Sequence, residues 1–189
     1  GAETLLKNLA EHAAAAGCRV DFLTTCAQDH FTWRNEWPPG AQEAGGVRVL
    51  RFTVDEHRDL EAFLRAQTAI CRGARVTRAD EETWIRNSVN STPLYDHLRA
   101  HGAGYDRLIM GPYLFGLTWH ASRLFPERTL LVPCLHDEAF AYLDIMREMF
   151  VGVRGFLFNT EPEQELAARC YGVPASAGRV VGMGLEPFT

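Results

Sequence analysis

One pattern limits this chain more than any other. Short apolar, β-branched runs alternate with helical periodicities from end to end. Strand-like runs are "CRVDFLTT" (18–25), "VRVLRF" (47–52), "DRLIMGP" (106–112), "TLLVPCL" (129–135), "GFLFN" (155–159) and "RVVGMG" (179–184). Between them the spacing predicts helices. Leu5, Leu6, Leu9, Ala13 and Ala16 mark the first, stopped by Gly17. Asp59 caps a second running to Gly73, Asp80 caps a third through Trp84, Ile85 and Val89, and Pro93 restarts a fourth ending near Gly102. Helices over 114–125, 139–152 and 161–172 complete the series. Several strands are apolar on both faces, as in a parallel sheet covered by helices on both sides. Residues 27–46, with Pro38, Pro39, Gly40, Gly45 and Gly46, read as a long loop.

Bulk properties exclude some partners. The formal net charge is −5 over 189 residues, whereas nucleic-acid binding draws on a basic face. No apolar run reaches the length of a membrane span. Of the five cysteines, Cys18, Cys134 and Cys170 sit in apolar surroundings, none forms a C-x-x-C pair, and reduced thiols of a cytosolic protein are the expectation.

In an open α/β sheet, ligands bind beyond the carboxyl ends of the strands. Those positions here are "TVDEH", "GPYLFG", "HDEAF" and "NTEPE". His136 therefore falls at a strand end, where an imidazole can titrate or donate near neutral pH. Asp137 and Glu138 follow it and read first as capping and solvent groups at the start of the helix over 139–152. Tyr113 and Phe115 are placed either to line a cleft or to pack in the core. Trp33 and Trp37, beside Arg34 and Glu36, suit a sugar face or a lipid-linked acceptor, or fold over the domain's own edge. Gly1 and Ala2 would form an anion-binding turn if a strand precedes them. His97 and His101 have the spacing of a two-histidine metal face, but no third ligand is near, and a solvated helix face is the reading.

"GAETLLKNLAEHAAAAGCRVDFLTT", "GGVRVLRF", "YDRLIMGPYLFG", "LLVPCLHDE", "FNTEPEQELAARCYG" and "RVVGMGLEP" follow one another in an order that resembles the N-terminal half of family 4 glycosyltransferases. The resemblance implies a Rossmann-like domain over 1–182, with 183–189 opening the linker to a second facing domain. It implies that the family's first strand and its C-terminal domain lie outside this sequence, so that the fragment alone is inactive. It places Gly1 and Ala2 on the donor-phosphate turn, although Ala2 stands where the family has a second glycine. It places His136 near the reacting sugar and phosphate. Thr160 falls near the family's hydroxyl position in the acceptor cleft. A nucleotide-sugar is the implied donor, transferred with retention to a glycan, lipid or small-molecule acceptor. No cofactor or metal is implied, and the absence of a D-x-D triplet fits that. The implied location is cytoplasmic, with peripheral attachment to the inner membrane as an option. Rival readings are half of a nucleotide-sugar epimerase, using Asp137 and Glu138 as acid and base, and a non-enzymatic binding lobe. A dinucleotide oxidoreductase is disfavoured because no G-x-G-x-x-G follows a strand.

Overall fold

The computed structural model describes residues 1–183; the expected linker beyond 183 lies outside the described residues. The chain divides into two compact units. Among the described residues, the first comprises Gly1–Val54, Ser91–Asp96 and Met183; the second comprises Asp55–Asn90 and His97–Gly182.

In the first unit, α1 (Ala2–Ala15) precedes β1 (Asp21–Thr25), β2 (Gly40–Ala44) and β3 (Val47–Phe52). The sheet order is β1-β3-β2, with β1 parallel to β3 and β2 antiparallel to it. Two expectations change here. Part of the 27–46 segment is a strand, and its pairing is antiparallel. The cause is the two-residue connection Gly45-Gly46, with φ of 60° and 75°. Positive φ at both positions is what a tight hairpin turn needs and what glycine supplies without steric cost. β2 is exposed at every position, so it has no apolar face by which a sequence pattern could reveal it. Parallel register is reinforced by a cross-strand pair: Arg48 donates from Nε and Nη2 to the two carboxylate oxygens of Asp21, its register partner, at 2.8 and 2.5 Å. The rest of the 27–46 segment is tied by Asn35, whose amide gives to Val54 O at 3.0 Å and takes from Val54 N at 2.7 Å.

The second unit carries α2 (Leu60–Cys71), α3 (Arg78–Arg86), the C-terminal part of α4 (Thr92–His101), β4 (Leu108–Met110), α5 (Gly116–Ser122), β5 (Thr129–Leu131), α6 (Asp144–Gly152), β6 (Gly155–Phe158), α7 (Glu161–Tyr171) and β7 (Gly178–Val180). β4, β5, β6 and β7 form one all-parallel sheet in that order, flanked by helices. This is the α/β arrangement expected from the alternation, and it is compatible with a Rossmann-like fold. Its core joins Leu131, Phe156 and Phe158 of the sheet to Ile145, Met146, Met149 and Phe150 of α6 and Leu166 and Ala167 of α7. The Phe150 ring centre lies 5.4 Å from that of Phe156, within the range of favourable aromatic pairs, and 4.2 Å from that of Tyr171.

Helix ends show where local signals held. Asp59 caps α2, accepting from Ala62 N at 2.9 Å. At α3 the cap is Thr77 rather than Asp80. Asp80 is the third helical residue and returns a bond to Thr77 N, completing a reciprocal capping box. The helix expected over 139–152 is interrupted: Ala139–Tyr142 is a 3-10 turn, Leu143 is extended, and α6 begins at Asp144. Neither Asp137 nor Glu138 caps it. The buried Glu81 of α3 does, accepting from Asp144 N at 3.1 Å and Ile145 N at 3.0 Å. Among the described residues, no helix is long and apolar enough to cross a membrane. None of the five cysteines is in a disulfide, and Cys18, expected in apolar surroundings, is exposed.

Candidate functional site

Because β4, β5 and β6 are parallel neighbours, the loops leaving their carboxyl ends emerge on one rim of the second unit. The first is Gly111-Pro112-Tyr113, entered through a cis peptide between Gly111 and Pro112. It approaches β5 so closely that a β-carbon on Gly111 would stand 2.1 Å from Val132 O. Tyr113 N then donates to Pro133 O at 3.0 Å, extending the β4–β5 pairing past the strands. The Tyr113 ring is fully buried, yet its hydroxyl reaches Glu138 Oε1 at 2.7 Å. Burial first, and then this carboxylate, push the phenol well above its ordinary pKa. It is a permanent donor at neutral pH.

The second loop, 132–138, holds the histidine. Cys134 has a φ of 52°, a left-handed conformation uncommon outside glycine, and it turns the chain away from β5. The residues around His136 are each fastened. Leu135 N donates to Glu163 Oε1 at 2.8 Å. Asp137 accepts from Tyr142 OH at 2.6 Å and from Arg169 Nη2 at 2.9 Å. Glu138 takes the Tyr113 bond, and its N–H gives to His136 O at 3.0 Å. The His136 side chain is exposed on this fixed loop, and its ring makes no hydrogen bond among the described residues.

The third loop leaves β6. Asn159 N donates to Glu163 Oε2 at 2.5 Å, and its side-chain amide approaches Cys134 Sγ at 3.5 Å. Thr160 caps α7, its hydroxyl accepting from Glu163 N at 3.2 Å. The hydroxyl assigned by resemblance to the acceptor cleft is thus engaged in holding the helix start, though the residue is exposed. Phe115 is the residue before α5 and is half-buried.

The structure brings together Tyr113, His136, Asp137, Glu138 and Thr160 on the strand-end loops. Gly1, Ala2, Trp33 and Trp37 belong to the other unit. Gly1 is the exposed N-cap of α1 and has no side-chain cap. Trp37 is half exposed, with the Arg51 guanidinium 5.6 Å from its ring centre. Trp33 sits at a φ of 54°. His97 and His101 lie 4.6 Å apart, ring to ring, and His97 Nε2 is 3.4 Å from Tyr105 OH. A surface cleft of about 390 Å³ between α2 and α3, lined by Ala62, Ala66, Ala69, Arg65, Arg75 and Thr83, contains none of the strand-end residues.

Sequence reasoning missed Glu163, Asn159 and Arg169. Thr160 followed three places on by Glu163 has the spelling of a capping box. Glu163 departs from that motif: its oxygens bond Leu135 N and Asn159 N, so local spelling reveals a cap and conceals a bridge.

The chain matches no protein-family model, no curated protein and no solved structure.

Proposed function

We propose that this chain is the N-terminal, acceptor-side half of a two-domain glycosyltransferase that moves a sugar from a nucleotide-sugar to an acceptor, with retention. The observation that supports it most is the presentation of His136: an exposed imidazole on a strand-end loop whose neighbouring residues are all tied. The loop that carries the imidazole is preorganised, so little backbone reorganisation is needed when charge develops in front of it. In sugar transfer that charge grows on the departing diphosphate, and a donor held in place stabilises it. His136 takes this orienting role; the leaving phosphate oxygen can take the acceptor proton.

Epimerisation would need free acid and base carboxylates. Asp137 is already held by Arg169 and Tyr142, and Glu138 by Tyr113, which favours transfer. On this reading Phe115 and Thr160 stand on the acceptor side, and Tyr113, whose ring is fully buried, serves by holding the histidine loop through Glu138. Cysteines outside any disulfide fit a cytoplasmic enzyme, and a lipid-linked acceptor would bring it to the inner membrane surface.

The test uses the full-length gene product with a panel of nucleotide-sugars and acceptors. Release of nucleoside diphosphate should depend on acceptor. His136→Ala should lower kcat on the order of a hundredfold while donor affinity stays within about twofold. Conversion of nucleotide-sugar without acceptor would establish the epimerase instead. Equal losses in kcat and donor binding would remove the role given to His136.

A further inference from the structure

We infer that Glu163 is the positioning residue of the strand-end site: from the first turn of α7 it locks the loops after β5 and β6 together and thereby fixes how His136 is presented. Its part in sugar transfer rests on the function proposed above; its part in setting the loops does not.

Glu163 is 5% exposed and has no ion pair among the described residues. A buried carboxylate without a cation is costly, and it is tolerated where hydrogen bonds compensate. Here they do: Leu135 N meets Oε1 at 2.8 Å and Asn159 N meets Oε2 at 2.5 Å. A helix cap alone would not demand this residue, since glutamine serves in capping boxes as well as glutamate. Two N–H donors facing two oxygens do demand it. Carboxylate oxygens both accept, whereas a glutamine would turn its own NH₂ toward one of the two amides.

The bridge also sits where other ties are weak. Asn159 Oδ1 is buried without a partner, and its Nδ2 reaches only a sulfur at 3.5 Å. On the β5 side, Leu135 immediately precedes His136. The far flank of His136 is fastened separately, through Asp137 and Glu138. Loss of the Glu163 bridge therefore frees one flank of the histidine and leaves the other held. Thr160 orients the carboxylate by capping the same turn.

The experiment compares Glu163→Gln with Leu166→Val in the full-length protein. Leu166 is a buried α7 core residue whose aliphatic side chain can make no hydrogen bond to either loop, so its variant controls for general loosening of the helix. Amide hydrogen exchange at Leu135 and Asn159, and the His136 ring resonances, are read in both. In Glu163→Gln, exchange at one or both amides should accelerate about tenfold beyond the control, the expected effect of losing a buried charged-acceptor bond. The His136 resonances should shift or broaden, kcat should fall about tenfold, and donor KM should hold. Exchange within about twofold of the control would overturn the inference. So would control-like kcat in Glu163→Gln alongside a severe loss in His136→Ala. If the full-length wild-type protein processes no nucleotide-sugar, the transferase reading fails, while exchange and ring resonances still decide the role of Glu163.

Discussion

Tyr113 leaves β4 and Glu138 closes the loop after β5, and the two meet at 2.7 Å, phenol to carboxylate. Residues from the loops that follow two adjacent parallel strands are thus joined beyond the sheet. The bond shuts the far side of the loop that carries His136. Its loss is open to measurement.

Tyr113→Phe removes the donor without changing the ring's packing. The cost at neutral pH should be about 1 kcal/mol by urea denaturation. The pH profile is more telling. Burial and Glu138 raise the folded-state pKa, while the unfolded chain titrates near the ordinary value of about 10. Above that pH the unfolded chain has lost a proton that the native state keeps, so stability falls as pH rises. Tyr171 adds to this slope through its own burial. Tyr113→Phe should flatten it. An unchanged alkaline slope would show that the phenol is not held as described.

His120 gives the opposite end of the profile. Burial, then the Arg123, Arg86 and Arg99 guanidiniums, lower its pKa to about 4. Between the unfolded value near 6.5 and that folded value, the unfolded chain binds a proton that the native state refuses. Stability should therefore decline as pH falls through this window. His120→Gln should remove up to one proton's worth of the slope, read from denaturation midpoints at a series of pH values.

Glu81→Ala withdraws the acceptor from Asp144 N and Ile145 N. Two amides at the start of α6 lose their partner beside a buried site, a loss of about 1–3 kcal/mol. Glu81→Gln keeps one acceptor and should recover part of it. Equal stability in all three proteins would refute the cap.

Gly111→Ala places a methyl 2.1 Å from a backbone oxygen. Backbone cannot swing aside as a side-chain tip can. The expected loss is about 3 kcal/mol, with the β4 and β5 amides losing exchange protection first. Near-wild-type stability would mean that the two strand ends are not so close.

Much of the architecture was legible. The runs that become β4, β5 and β6 are apolar on both faces and separated by helix-length periods, and the strands appear where those runs stand. Asp59 carried its own signature at α2. β2 did not: "GAQEA" is exposed throughout, and only the glycine pair after it announces a hairpin. The break at Leu143 was hidden because residues 139–152 keep helical periodicity on either side of one extended residue. The site was half legible. His136 follows from strand-end logic, and so does its exposure. The residues that fix its loop do not, since Tyr113 and Glu163 lie 25 and 28 residues from their partners in that loop. A sequence shows what each carboxylate could do locally; only the fold decides between a local amide and a distant one.

The reach of Glu81 has a consequence for how the protein is made. Its acceptor lies 63 residues ahead of the first amide it serves. Helix α6 therefore cannot complete its opening turn from its own sequence, and its formation is tied to a non-local closure. Synthesis runs in the favourable direction: α3 emerges from the ribosome well before α6, so the anchor is already in place when the turn that needs it is born.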